Sequence, residues 1–223
     1  MRYIRQEKLK EIGKKGQVLI RNSKIAIIGV GALGTVSAEL LTRAGIGELL
    51  LVDNDKIDLL NLQRQTLFQE KHEGKYKVDV AKKELQKINS EVKIKIKKTY
   101  FKNENSKLLN NYDLILDCTD NMHSRHIINE YAKKQSKTWI YCAAVGTQAN
   151  MLVVKDYDKF KEIFKSNETL DSCSKIGVTN TITNFAASIQ VNLALKLILK
   201  QPYTKDLIRF DIWNNEFKLI KIK

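Results

Sequence analysis

Residues 25–28 form an uninterrupted apolar run, followed by a glycine-rich turn and then by Leu33, Val36, Leu40 and Leu41 at helical spacing. A second apolar run, residues 49–52, ends at Asp53. Together they read as a βαβ unit with glycines at its first turn. Val78, Ala81, Leu85 and Ile88 then repeat at helical spacing, and residues 92–96 alternate in the manner of a half-buried strand. Residues 114–116 and 139–143 give two further short strands, separated by a predicted helix over about residues 124–134. Strands that alternate with helices imply a parallel, doubly wound sheet.

The pattern changes beyond Gly146. Residues 151–154, 207–210 and 217–222 look like strands, with a long uncharged helix lying between the first and second of these. Sequential strands joined by short links predict an antiparallel extension. The expected fold is therefore α/β: a Rossmann-like, doubly wound mixed sheet with a parallel N-terminal part and antiparallel C-terminal strands. No internal repeat or linker interrupts it, so residues 1–223 are expected to form a single domain.

Composition supports a packed core, because 43% of the 223 residues are apolar and 29% are charged. Three cysteines, Cys118, Cys142 and Cys173, cannot close a disulfide framework, and a reducing cytoplasm is the expected setting. Residues 1–12 carry charges throughout and do not resemble a signal peptide. The uncharged residues 176–195 are long enough to span a bilayer, but their hydroxyls and amides predict a buried or partner-facing helix and no membrane contact. A net charge of +14 favours anionic partners. Most of the excess is lysine scattered without interleaved aromatics, the composition of a solvated surface, and nucleic acid is not the expected partner.

Gly29, Gly31 and Gly34 spell G-x-G-x-x-G between a strand and a helix, where small residues let backbone N–H groups approach a phosphate. Asp53, at the end of the next strand, is placed to accept hydrogen bonds from a ribose. These features alone fit NAD as well as any other nucleotide. Asn61-Leu-Gln-Arg64-Gln and then Lys77 follow closely, and two cations so near suit a triphosphate whose charge migrates to leaving pyrophosphate. Asp117-Cys-Thr-Asp120-Asn ends another apolar strand at the carboxyl edge of the sheet. Asp120 there would face phosphates and imply an intervening Mg²⁺, or else serve as the N-cap of the next helix.

Arg2-Tyr3-x-Arg5-Gln6, the glycine turn, the Asp53 segment, N-L-Q-R-Q and L-D-C-T-D-N, in this order and spacing, resemble the ThiF/MoeB/HesA family, the bacterial and archaeal relatives of ubiquitin-activating enzymes. The resemblance implies an ATP-dependent adenylyltransferase. Its substrate would be a ubiquitin-fold sulfur-carrier protein ending in Gly-Gly, as in thiamine or molybdopterin biosynthesis. Carried over by position, Asp53 would hold the ribose, Asn61, Arg64 and Lys77 the phosphates, and Asp120 the magnesium, with Arg5 reaching into the second subunit of a homodimer. Cys173 matches a cysteine that can receive the activated carrier.

The chain departs from this pattern in lacking the two CxxC pairs that bind a structural zinc in many relatives, so no zinc is expected. Cys118 and Cys142 should be buried and inert. Trp139, Tyr141 and the helix face of Ile182, Phe185, Ile189, Leu193 and Leu197 should be core. His123 and His126 share a helix face without metal-ligand partners and read as polar surface, and His72 has no evident role. A tRNA-modifying dehydratase of the same fold, a silent nucleotide-binding module and an NAD-dependent oxidoreductase are the rival readings.

Overall fold

The computed structural model describes residues 2–164 and 176–222. Eight strands form one sheet: β1 (Lys24–Ile28), β2 (Glu48–Val52), β3 (Lys93–Lys97), β4 (Leu114–Asp117), β5 (Trp139–Val145), β6 (Gln148–Val154), β7 (Leu207–Asp211) and β8 (Glu216–Ile220). Their spatial order is β3-β2-β1-β4-β5-β6-β7-β8. Pairing is parallel from β3 through β5 and antiparallel from β5 onward, as expected for a mixed sheet.

Alternate residues of each buried strand feed two cores, because successive side chains point to opposite faces. From β1, Ile25 and Ile27 enter one core, and Ala26 and Ile28 the other. The first core is roofed by α2 (Gly13–Asn22), α3 (Ala32–Ala44), α4 (Lys77–Ile88) and α7 (Asn180–Ile198). The second lies under α5 (Met122–Gln135) and the short α6 (Tyr157–Ile163), with Trp139, Tyr141, Phe160 and Phe164 packed edge to face or tilted at its centre.

The long uncharged helix α7 is tied into the sheet by one amide. Gln190, fully buried, donates to the carbonyls of Asp117 and Ile140 and accepts from Ser37 and Cys118. Thr183, Asn184 and Ser188 bond back to carbonyls along the helix. Among the described residues no helix is long and apolar enough to cross a membrane. Ile182 and Leu193 are core as expected, whereas Phe185 is 40% exposed and only meets Phe210 edge-on.

Before β1 the chain forms α1 (Ile4–Glu7) and α2, two helices the apolar pattern does not announce. Tyr3 and Gln6 anchor them. Asn89 donates to the Tyr3 hydroxyl at 2.8 Å, and the Gln6 and Gln17 amides both donate to the Ala44 carbonyl at the C-terminus of α3. Gly45 is required there: it has φ +84°, and a Cβ would lie 2.4 Å from the Tyr3 ring. Two of the motif residues at the start of the chain therefore hold the segment, leaving Arg5 exposed on its surface.

Candidate active site

The carboxyl ends of β1, β2, β4 and β5 open into a cavity of about 730 Å³. This is where open α/β sheets place ligands, at the point where strand order reverses. Gly29, Gly31, Asp53, Asn61, Arg64, Lys77 and Asp120 all line it. The sequence motifs, spread over some ninety residues, thus converge on one space.

The three fingerprint glycines do different work. A Cβ on Gly34 would lie 2.0 Å from the Gly29 carbonyl oxygen, and one on Gly29, which has φ +91°, would lie 2.5 Å from the Cys118 carbonyl oxygen, so both are required by backbone packing. Gly34 does this outside the cavity wall. A Cβ on Gly31 would meet nothing closer than Gln65 Nε2 at 3.8 Å. Only an incoming group needs Gly31 to be bare. Gly31 is also the N-cap of α3 and has no side chain to bond the first-turn N–H groups, leaving them free for an anion.

Asp53 is fixed by the glycine turn. Its Oδ2 accepts from Val30 N–H at 2.6 Å and its Oδ1 from Asp55 N–H at 2.7 Å. Burial pushes this carboxyl up, against the lowering effect of those two donors. Lys77 opens α4 and is 6% exposed, and its Nζ sits 2.9 Å from Asp55 Oδ2. Asn61 Oδ1 accepts from Arg64 at 3.4 Å and from Gln65 Nε2 at 3.1 Å. Both donors approach the oxygen, so the Asn61 amide group is left to donate, and Gln65 Oε1 is buried without a partner.

Asp120 lines the cavity on the opposite side, exposed, with one oxygen accepting from Asn121 at 3.2 Å. It is not the cap of α5: Asn121 is, accepting from Ser124 N–H at 2.9 Å. No group of three or more His, Cys, Asp or Glu side chains is arranged to hold a metal among the described residues. A lone carboxylate is the donor set Mg²⁺ uses when phosphates and water supply its other ligands, and Asp120 fits that role.

The turn bearing Asp120 is braced from beneath by a pair absent from the sequence reading. Asp117 is fully buried. Its Oδ1 accepts from both the N–H and the hydroxyl of Thr119, and its Oδ2 accepts from Arg125 Nε at 3.1 Å. Arg125, 4% exposed, also donates to the Thr119 carbonyl at 2.7 Å and lies over the Tyr141 ring. Burial pushes the Asp117 carboxyl up against the guanidinium and Thr119, while for Arg125 burial is outweighed by Asp117 and the guanidinium is held charged. With three donors on the carboxylate, we take the pair as ionised. The only sequence signal was an arginine eight residues after the acid that ends β4.

Arg5 is not brought to this cavity; it borders a separate depression with Arg2, Tyr3 and Arg43. Cys173 lies outside the described residues. Cys118 and Cys142 are buried, and burial pushes both thiols well up, so they are poor nucleophiles as expected. His72 is buried, its Nδ1 accepting from Gln69 N–H, and His126 places Nε2 out of solvent rather than on the polar surface.

A family model described as the ThiF family matches residues 3–223. The chain belongs to the ThiF family. Among ThiF-family relatives, it is 34% identical over 221 residues to the sulfur carrier protein ThiS adenylyltransferase of Bacillus subtilis, covering 96% of this chain and 66% of that protein. It is 30% identical over 230 residues to the adenylyltransferase and sulfurtransferase MOCS3 of Culex quinquefasciatus, covering all of this chain and 52% of that one. A probable molybdopterin-synthase adenylyltransferase of Porphyra purpurea is 31% identical, over 99% and 60% of the two chains. This ThiF-family chain spans about half to two-thirds of the length of these curated relatives. Of solved structures, E. coli MccB with succinimide superposes with a TM-score of 0.82 at 22% identity, covering all of this chain and 72% of that one. E. coli MccB with ATP superposes with a TM-score of 0.76 at 24% identity, over 92% and 65%. Likeness at this level establishes the shared fold.

Proposed function

We propose that the protein adenylates the C-terminal glycine carboxylate of a ubiquitin-fold sulfur-carrier protein, consuming ATP and releasing pyrophosphate. The observation that carries this reading is the convergence of bare Gly31, Asp53, the Asn61–Arg64–Lys77 group and Asp120 on one cavity. The names of the ThiS and molybdopterin-synthase adenylyltransferases among its relatives support it.

In this reading the glycine turn and the free N–H groups of α3 hold the phosphate chain, and Asp53 accepts from the ribose hydroxyls. An ionised carboxylate needs no protein base to attack. Its oxygen bonds to the α-phosphorus while the bond from that phosphorus to the bridging oxygen breaks, and the electron pair leaves with pyrophosphate. Such an in-line displacement asks for positioning and charge neutralisation. Arg64, Lys77 and the Asn61 amide are the donors for the departing charge, and Lys77 can exchange the Asp55 carboxylate for a phosphate oxygen. Mg²⁺ held by Asp120 would supply further neutralisation when bound.

Arg5, exposed and distant from its own cavity, is assigned to the cavity of a second copy in a homodimer. The test is exchange of labelled pyrophosphate into ATP in the presence of a purified carrier ending in Gly-Gly. Arg64→Ala and Asp120→Ala are each expected to abolish exchange while the melting temperature holds. Undiminished exchange in both variants would overturn the assignment of the site.

A further inference from the structure

Arg64 and Lys77, the two cations on the crossover side of the cavity, stand at opposite ends of one irregular segment, and one histidine lies between them. The Asn61 carbonyl accepts from the N–H groups of Arg64 and Gln65, and the Gln65 carbonyl accepts from Phe68 N–H. Gln69 then opens a single 3₁₀ turn, Glu70–His72. Beyond it the His72 carbonyl accepts from Lys75 N–H at 3.1 Å, the Lys75 carbonyl from Ile57 N–H at 2.9 Å, and the Asp55 carbonyl from Lys77 N–H at 3.0 Å.

A side chain joins the two halves. His72 Nδ1 accepts from Gln69 N–H at 3.2 Å, and the Gln69 side chain accepts in return from His72 N–H. In such a capping box the residue that reaches back is ordinarily Glu or Gln, whose oxygens accept at any pH. An imidazole nitrogen accepts only while it carries no proton. Among the described residues no other acceptor serves the Gln69 N–H.

His72 is 6% exposed. The charged groups that face it are Glu84 and Lys87 from α4 and Lys71 and Lys75 from its own segment. Burial pushes the imidazole below its ordinary 6.5, and the three lysines add to this against the pull of Glu84, whose Oε1 lies 3.9 Å from Nε2. At neutral pH the ring is therefore uncharged, with its proton on Nε2 towards Glu84 and Nδ1 left to accept. A second proton goes to Nδ1, where two N–H groups then meet and the box opens.

We infer that His72 is a positioning residue for the nucleotide site: as a neutral imidazole it holds the Arg64 turn in place relative to Lys77, and on protonation it releases that turn and weakens the grip on phosphate. This rests on the adenylation reading in taking Arg64 and Lys77 as the phosphate donors.

The test uses the full chain, its His72→Gln variant, which keeps an acceptor that does not titrate, and His72→Ala, which has none. Binding of a non-hydrolysable ATP analogue is followed by calorimetric titration from pH 8 to pH 5.5. Protonation of the analogue is common to all three proteins and cancels in their ratios. The parent and His72→Gln should bind alike at pH 8, and the parent should become about three- to tenfold weaker than His72→Gln by pH 5.5. His72→Ala should be weaker than His72→Gln by that factor at both ends. In nitrogen-15 spectra the parent should carry the His72 proton on Nε2 at pH 8. Its Arg64, Gln69 and Lys77 amide signals should move with the imidazole midpoint, below 6.5, and not do so in His72→Gln. Parallel weakening of the parent and His72→Gln, equal binding by His72→Ala and His72→Gln, or amide signals that ignore the imidazole midpoint would overturn the inference. Amide signals that follow it in a protein that binds no analogue at any pH would instead keep the role of His72 and overturn the adenylation reading.

Discussion

Replacing Arg125 by alanine would leave Asp117 fully buried with only the two Thr119 donors for its charge. Removing one partner of a buried ion pair typically costs about 3–5 kcal/mol, since the remaining charge is uncompensated. The contact of the guanidinium with the Tyr141 ring is lost as well. For a chain of this size that cost lowers the melting temperature by roughly 6–20 °C. The pH dependence identifies the cause. Without the guanidinium, burial pushes the Asp117 carboxyl further above its unfolded value, so the folded variant binds a proton that the unfolded chain does not. Its deficit against the parent protein should therefore be larger at pH 8 than at pH 5.5, shrinking as pH falls through the raised folded value. Calorimetric melts of both proteins at the two pH values provide the assay. Asp117→Asn combined with Arg125→Met removes both charges and should recover most of the loss. An Arg125→Ala variant melting within about 2 °C of the parent at both pH values would refute the reasoning.

Four further outcomes follow from the geometry. Gly34→Ala, whose Cβ would fall 2.0 Å from the Gly29 carbonyl oxygen, should lose roughly 1–3 kcal/mol or more in urea unfolding, whereas Gly31→Ala should unfold like the parent and bind ATP at least about tenfold more weakly by calorimetric titration. Gln190→Leu strands the Ser37 hydroxyl and the Asp117 and Ile140 carbonyls and should cost about 2–4 kcal/mol, read from the same urea curves. Asp211 would be raised by burial, but hydrogen bonds from Gln148, Thr147 and Asn214 hold it at about 2 against an ordinary 3.8. Its contribution to stability is thus present above pH 3.8 and lost as pH falls towards about 2, and Asp211→Asn should flatten acid unfolding across that window.

Strands β1, β2, β4 and β5 were legible because their apolar runs are short and unbroken, β3 because Ile94 and Ile96 alternate with lysines, and β6 and β8 because only short links join them to β5 and β7. Strand β8 was expected over residues 217–222, but Phe217 and Leu219 stay more than half exposed, so its apolar residues marked the strand without marking burial. Helices α1 and α2 left no such trace: apart from Ile20, which α2 buries in the first core, their anchors are Tyr3, Gln6 and Gln17, which act through hydrogen bonds to α3 and Asn89. At the site, the motif residues were legible because spacing places them at strand ends. Arg125 and Gln190 were not, since each is a polar residue on a helix whose partner lies across the sheet edge. Asn121 took the capping role considered for Asp120 because its side chain, one residue nearer the helix, reaches Ser124 N–H.

The central claim, that a carboxylate attacks the α-phosphorus of a nucleotide held in this cavity, is tested most directly by isotope transfer. A Gly-Gly carrier labelled with oxygen-18 in its C-terminal carboxylate is incubated with ATP and the protein, the product is released with hydroxylamine, and the AMP is weighed by mass spectrometry. AMP carrying one labelled oxygen is the expected result, because the bond to phosphorus comes from the carrier. AMP that forms without label, or a carrier that binds and yields no AMP, would contradict it.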